Sequence, residues 1–187
     1  MTILYLFTAV LLFALMLLHF GITPEVHVAN MTVDSTANII ANDGNCTLRE
    51  AIINANNDDQ SGSTDCAAGS GADTIILASE AIYTLDRFDN IDPSFGPSGL
   101  PQITSEITIE GNGATIERSC VVITPLFRIF SVQTDGDLTL GGLTIRNGLV
   151  NTFGGGGIFK VHRLDSLSPP QGAKCLFRGS KGSRQGN

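Results

Sequence analysis

The sequence predicts an all-β protein, a parallel β-helix of few coils with a short N-terminal capping helix. From residue 73 onward, short runs rich in Ile, Thr, Leu and Val alternate with Gly, Asn and Asp, which is typical of β-strands separated by turns. Two runs are alike: "ITIEGNGATIER" (residues 107–118) and "LTLGGLTIRNG" (residues 138–148) begin 31 positions apart. Self-similarity at such a spacing indicates stacked repeats. A β-sandwich is the rival architecture, because its strands are equally short.

The first 22 residues, "MTILYLFTAVLLFALMLLHFGI", are almost wholly apolar. An apolar run at the N-terminus predicts a secretory signal or a signal anchor, against the alternative of a buried core helix. We assign residues 1–29 to this segment, with Ala29 as the best residue before a cut. The expected location is therefore outside the cytoplasm: secreted, or at the cell surface or outer membrane. We expect membrane contact only through this segment.

Residues 30–72 form the predicted N-terminal cap, with a helix over 48–56. Thr47 and Glu50 have the spacing of a capping box, in which each side chain binds the other residue's backbone N–H. Apolar residues then recur at i, i+3, i+4 and i+7, on one face of the helix: Leu48, Ala51, Ile52 and Ala55. A helix this short needs a surface to pack on. We expect that surface to be the first strand, around residues 75–77, with Arg49 exposed.

Cys46 precedes this helix and Cys66 lies in the polar loop that follows it, and no cysteine spacing fits a zinc site. In an exported protein they are disulfide candidates, and the bond would stabilise the fold by about 3 kcal/mol for a loop of this size. Two unpaired thiols are the alternative.

Residues 73–159 form the predicted coils. Asn147 and Gly148 suit tight corners because both tolerate positive φ, and Gly156 and Gly157 mark a further repeat turn. Residues 160–187 form an irregular basic tail outside the fold, either a disordered tail or the product of a broken reading frame.

Charge argues against nucleic acid as a partner. Residues 1–159 carry five Arg, no Lys and 17 carboxylates, whereas residues 160–187 carry six basic residues and one Asp. Phosphate neutralisation needs clustered Lys and Arg, which the acidic body lacks. The basic tail alone is a weak signal for polyanion binding.

No set of residues predicts catalysis, and we assign no catalytic residue, metal ligand or cofactor. The three histidines lie outside the β-rich body, so a His-based triad or metal site is not expected there. Two carboxylate pairs, Asp58 with Asp59 and Asp135 with Asp137, are better explained by turn chemistry. For a lyase-type site the basic candidates are Arg87, Arg118, Arg128 and Arg146.

Two motifs resemble known families. "CTLREAIINAN" (residues 46–56) resembles the signature of the CSLREA-type N-terminal domain of exported bacterial surface proteins, and "GADTIILASEAIYTL" is similar to the run that follows it. "LTLGGLTIRNG" with "GGGGIF" resembles the repeat of right-handed parallel β-helix proteins such as polymorphic outer-membrane proteins. The resemblance implies a right-handed parallel β-helix, here a truncated member, with no catalytic residue to carry over.

These observations lead us to expect a non-enzymatic cell-surface or secreted protein with an adhesion or structural role. Its partner would be an unidentified surface ligand or a carbohydrate. The alternative is a polysaccharide lyase or hydrolase of the pectate-lyase-like β-helix type. A third possibility is a fragment without an independent function, because an uncovered strand end pairs with other chains.

Overall fold

The computed structural model describes residues 28–151 and 154–161. The apolar N-terminal segment up to residue 27 and the tail from residue 162 lie outside the described residues, so the predictions made for them stay predictions. Among the described residues there is one helix, α1 (Leu48–Asn57). The strands are β1 (Asn30–Thr32), β2 (Asp73–Ile76), β3 (Ile82–Leu85), β4 (Asn90–Asp92), β5 (Gly96–Ser98), β6 (Glu106–Glu110), β7 (Thr115–Arg118), β8 (Phe130–Val132), β9 (Asp137–Gly141), β10 (Thr144–Arg146) and β11 (Ile158–Lys160). Within these ranges no helix has the length and apolar character needed to cross a membrane.

The largest sheet has four parallel strands in the order β1-β2-β6-β9. Its register places Met31 beside Ile75, Ile75 beside Ile109, and Ile109 beside Leu140. Strand side chains alternate between the two faces of a sheet, so one face carries this ladder of aliphatic side chains. Its first three members are fully buried, and Leu140 is partly buried against the core.

A second sheet of three parallel strands has the order β10-β7-β3. Here Tyr83 lies beside Ile116, and Ile116 beside Ile145, which continues the core. The Tyr83 hydroxyl accepts a hydrogen bond from the N–H of Ala78 (3.1 Å), and burial raises the pKa of Tyr83. The described residues also contain two smaller sheets: β8 pairs with β11 in parallel, and β4 pairs with β5 in antiparallel fashion.

The prediction of a right-handed parallel β-helix is wrong. The described residues form one helix and four small sheets, which have four, three, two and two strands. One of the two-stranded sheets is antiparallel. They show no closed or solenoid arrangement. One reason lies in residues 86–105, where the chain folds back into the β4–β5 pair instead of continuing as a regular coil. The similar runs found in the sequence mark neighbouring parallel strands, since Ile107 is the register partner of Leu138.

Helix α1 lies against β2 and β6. Its apolar residues Leu48, Ala51, Ile52 and Ala55 all belong to the buried core, as do Ile75 and Leu77. The helix ends at Asn57, and Asp58 follows in the left-handed conformation with φ of 53°. A short polar side chain tolerates this conformation better than most residues do, so the chain turns into the polar loop at this point.

Candidate functional site

The start of α1 is built by the predicted capping box, which is tied to the segment before it. The Thr47 hydroxyl accepts a hydrogen bond from the N–H of Glu50 (3.3 Å), and the Glu50 carboxylate accepts one from the N–H of Thr47 (2.8 Å). The other Glu50 oxygen accepts from the N–H of Ala41 (2.6 Å). The backbone N–H groups of Thr47 and Glu50 are thereby satisfied at the start of the helix, and the fully buried Glu50 is committed to this structural role.

The prediction that Arg49 is exposed is wrong. Only 4% of this residue is accessible to solvent. Its guanidinium pairs with the carboxylate of Asp89 and donates to the carbonyl oxygen of Gly99 (2.7 Å) and to the side-chain oxygen of Asn38 (2.6 Å). A planar fork of donors is suited to bonding several acceptors at once. One side chain therefore joins the helix to three separate loops.

A small cavity of about 180 Å³ lies over this junction, and Arg87 lines it beside Arg49. The Arg87 guanidinium is mostly exposed and bonds to Asp86 (3.1 Å). Hydrogen bonds from Arg87 and then from Asn38 lower the pKa of Asp86. The same pairing raises the pKa of Arg87. Both groups are therefore charged at neutral pH, and neither has the perturbation toward neutrality that general acid–base catalysis requires.

The polar loop after α1 is fastened at two points. The Sγ atoms of Cys46 and Cys66 are joined in a disulfide with a Cα–Cα distance of 4.8 Å. The amide of buried Asn54 forms four hydrogen bonds with backbone: it donates to Ser63 (2.9 Å) and Ala67 (3.0 Å), and it accepts from Gly62 (2.8 Å) and Ser63 (3.2 Å). Four bonds are all that an amide side chain can usefully make, so Asn54 ties the loop backbone at three residues to the helix.

The arginines considered for a lyase-type site are engaged in structural contacts. Arg128 is fully buried, its guanidinium lies 4.6 Å from the ring centre of Phe159, and it donates to the carbonyl of Phe95. Burial lowers the pKa of Arg128. Arg118 is also buried, which lowers its pKa, and it donates to the carbonyl of Asn147 (3.0 Å). A cation over an aromatic face and against carbonyl dipoles stabilises packing.

Arg146 is separate from this buried group. It is exposed and pairs with Glu117 at 2.6 Å on the surface of the three-stranded sheet. The structure therefore does not bring the four candidate arginines together around one point.

Of the two carboxylate pairs, Asp58, Asp59 and Asp135 lie in turns or bends as predicted, whereas Asp137 is the first residue of β9. Asp58 accepts from the N–H of Gly71 (2.7 Å) and Asp59 from the N–H of Ser61 (2.7 Å). Hydrogen bonds from the side chain and then from the backbone of Ser61 lower the pKa of Asp59. Asp137 accepts from the N–H of Leu138 (3.0 Å) and pairs with Lys160 at 3.4 Å. Within the described ranges no group of three or more His, Cys, Asp or Glu side chains is placed to hold a metal ion.

The predicted repeat turns have two different physical origins. Asn147 has a φ of 62°, as a tight corner requires. Gly148 does not have the positive φ expected for it; it is needed because a Cβ there would lie 1.9 Å from the carbonyl oxygen of Gly156. Gly156 faces the same constraint from Gly148, whereas a Cβ on Gly157 would meet only ordinary contacts. Close backbone approach therefore explains the first two glycines.

No protein-family model, curated protein or solved structure matches this chain. The resemblance of its motifs to the CSLREA-type domain therefore stays a prediction. The geometry supports a structural role for the N-terminal cap, residues 30–72. In it the disulfide, the capping box and the buried arginine all hold chain segments to one another.

Proposed function

We propose that this chain is an exported, non-enzymatic module with an adhesion or structural role at the cell surface or in the secreted space. The observation that carries the proposal is the Cys46–Cys66 disulfide, set in a cap whose buried polar groups are bonded to other parts of the chain. Disulfides of this kind persist in oxidising compartments, which agrees with the apolar N-terminal segment. A cap stiffened in this way suits a protein that presents surfaces rather than one that moves during a reaction.

The proposed contact surface is the aliphatic turn, residues 121–124. The N–H of Thr124 bonds to the carbonyl of Val121 (2.9 Å), which closes the turn. Val122 and Ile123, at its tip, are 82% and 89% exposed. Central turn positions favour Gly, Asn, Asp or Pro, so two β-branched aliphatic residues there are better explained by contact with another surface than by the turn itself. Grouped exposed apolar residues mark interaction sites.

Export is tested with the native N-terminal segment in place. Cytoplasmic, surface and secreted fractions are alkylated with and without prior reduction, and the modified cysteines are identified by mass spectrometry. We expect the protein outside the cytoplasm, with Cys46 and Cys66 alkylated only after reduction. Reduced thiols in a protein confined to the cytoplasm would contradict the proposal.

Adhesion and catalysis are separated in a second experiment. Beads coated with the protein are tested for retention on cell surfaces and on immobilised polysaccharides, together with the V122S/I123S variant. The I82S variant is the control, because Ile82 is also an exposed aliphatic residue, at 51%, and lies elsewhere on the surface, on β3. We expect V122S/I123S alone to lose retention. New reducing ends or unsaturated sugars in acidic polysaccharides would instead establish an enzyme and refute the non-enzymatic role.

A further inference from the structure

The two main sheets end differently at their two sides. On one side the outermost strands are β1, whose core residue Met31 is fully buried, and β3, which adjoins the cap: Asn38 bonds to Asp86 (2.9 Å), one residue beyond β3, and Arg49 bonds to Asp89. On the other side, the outermost strands are β9 and β10, which have one strand neighbour each in the part of the chain that is described. We call the edge formed by these two strands the open end.

The core is incompletely covered at the open end. Leu138, Leu140 and Ile145 are only partly buried, whereas their register partners Ile107, Ile109 and Ile116 are buried. The N–H of Asp137 and the carbonyl of Gly141 bond inward to the β6 side. Because backbone groups alternate along a strand, those of Leu138 and Leu140 point outward. Unpaired strand edges of this kind readily add another strand.

We propose that the open end is an interface between two copies of this chain, related by a two-fold axis through Thr139 of β9. In this antiparallel pairing Leu138 lies opposite Leu140 of the second copy, and each pair exchanges two hydrogen bonds, four in all. Thr139 of one copy lies opposite Thr139 of the other. Asp137 lies opposite Gly141, so no like charges face each other.

Charge favours a second copy over a partner of opposite charge. Each charged side chain on the open-end strands is already paired within its own chain, Asp137 with Lys160 at 3.4 Å and Arg146 with Glu117 at 2.6 Å. The surface is therefore locally balanced although the body of the protein is acidic. A two-fold interface must be complementary to itself, and the five residues of β9 satisfy this condition in the register given above.

The test is the oligomeric state of the full chain, measured by sedimentation equilibrium over a wide concentration range. We expect a dimer whose dissociation constant rises at least about tenfold in T139K, since the substitution places two lysines opposite each other on the axis. T32K is the matched control: Thr32 is an exposed threonine of β1, at the other edge of the same sheet. It is expected to leave the dimer unchanged.

The register is tested separately by cross-linking. Residues in a non-hydrogen-bonded antiparallel pair have Cβ atoms about 4.5–5.5 Å apart, so T139C is expected to form a disulfide-linked dimer without reductant, and T32C is not. A wild-type monomer at all concentrations would overturn the proposal. A dimer whose dissociation constant T139K leaves unchanged would also overturn it, because assembly through the N-terminal segment would give that result. Polymers larger than a dimer would overturn it as well.

Discussion

Replacing Arg49 by Met removes one charged side chain that holds four segments together. The substitution keeps most of the apolar stem but leaves Asp89 without its cation and the Gly99 carbonyl without its donor. Breaking a fully buried ion pair costs about 3–5 kcal/mol. The Asp89 side chain keeps 22% of its exposure, and water recovers part of that loss. We expect R49M to lower the free energy of unfolding by about 2–4 kcal/mol.

The measurement is urea unfolding followed by circular dichroism at neutral pH, with the disulfide intact. R87A is the matched control, because the Arg87–Asp86 pair is exposed to solvent and is expected to contribute little to stability. D89N should destabilise to a similar extent as R49M, and the double variant should lose less than the two single losses combined. An R49M protein within about 0.5 kcal/mol of the wild type, or additive losses, would refute the role assigned to Arg49.

Three further predictions concern the cap and the turns. Replacing Cys66 by Ser removes the Cys46–Cys66 disulfide and should lower the free energy of unfolding by about 3 kcal/mol in the same urea measurement; a C66S protein as stable as the wild type would contradict this. Burial raises the pKa of Asp73. The contribution of Asp73 to the free energy of unfolding is therefore fully present below about pH 4 and is lost as the pH rises through the raised pKa. D73N should flatten that part of the stability profile; an unchanged profile would exclude Asp73 as its source. G148A should cost about 1–3 kcal/mol, because its Cβ meets the Gly156 backbone, and G157A should be tolerated; equal thermal shifts would contradict this reading.

Local signals in the sequence were sufficient where the partners are close in the chain. Thr47 and Glu50 are three residues apart, and their reciprocal bonds form as the spacing predicts. The alternation of aliphatic residues with threonine likewise located strands such as β6 and β9, and the similarity of their sequences predicted that they are related.

The burial of Arg49 could not be read from its neighbours. Its partners lie 11 positions away at Asn38, 40 at Asp89 and 50 at Gly99, and nothing in the helical pattern distinguishes this arginine from a solvated one. The only signal in the sequence was its place immediately beside Leu48 and Glu50 in a helix with a wide buried face.

The β-helix prediction failed for a related reason. Repeat spacing predicts which strands pair, but it says nothing about the segments between them. The chain around Asn90 to Ser98 pairs with itself in antiparallel fashion, an arrangement that no periodic signal announces. Gly148 was likewise assigned to positive φ from its type alone, whereas the contact with Gly156 that requires it is visible only once both strands are placed.

The aliphatic ladder of the largest sheet implies an order of events during synthesis. Its rungs join residues far apart in the chain, from Met31 to Ile75, Ile75 to Ile109 and Ile109 to Leu140, whereas the disulfide in the cap closes over only 20 positions. Short loops close faster than long ones. The cap is therefore expected to oxidise and settle while the later strands are still being made, and a nascent chain stopped soon after Cys66 has left the ribosome for an oxidising compartment should already carry the disulfide.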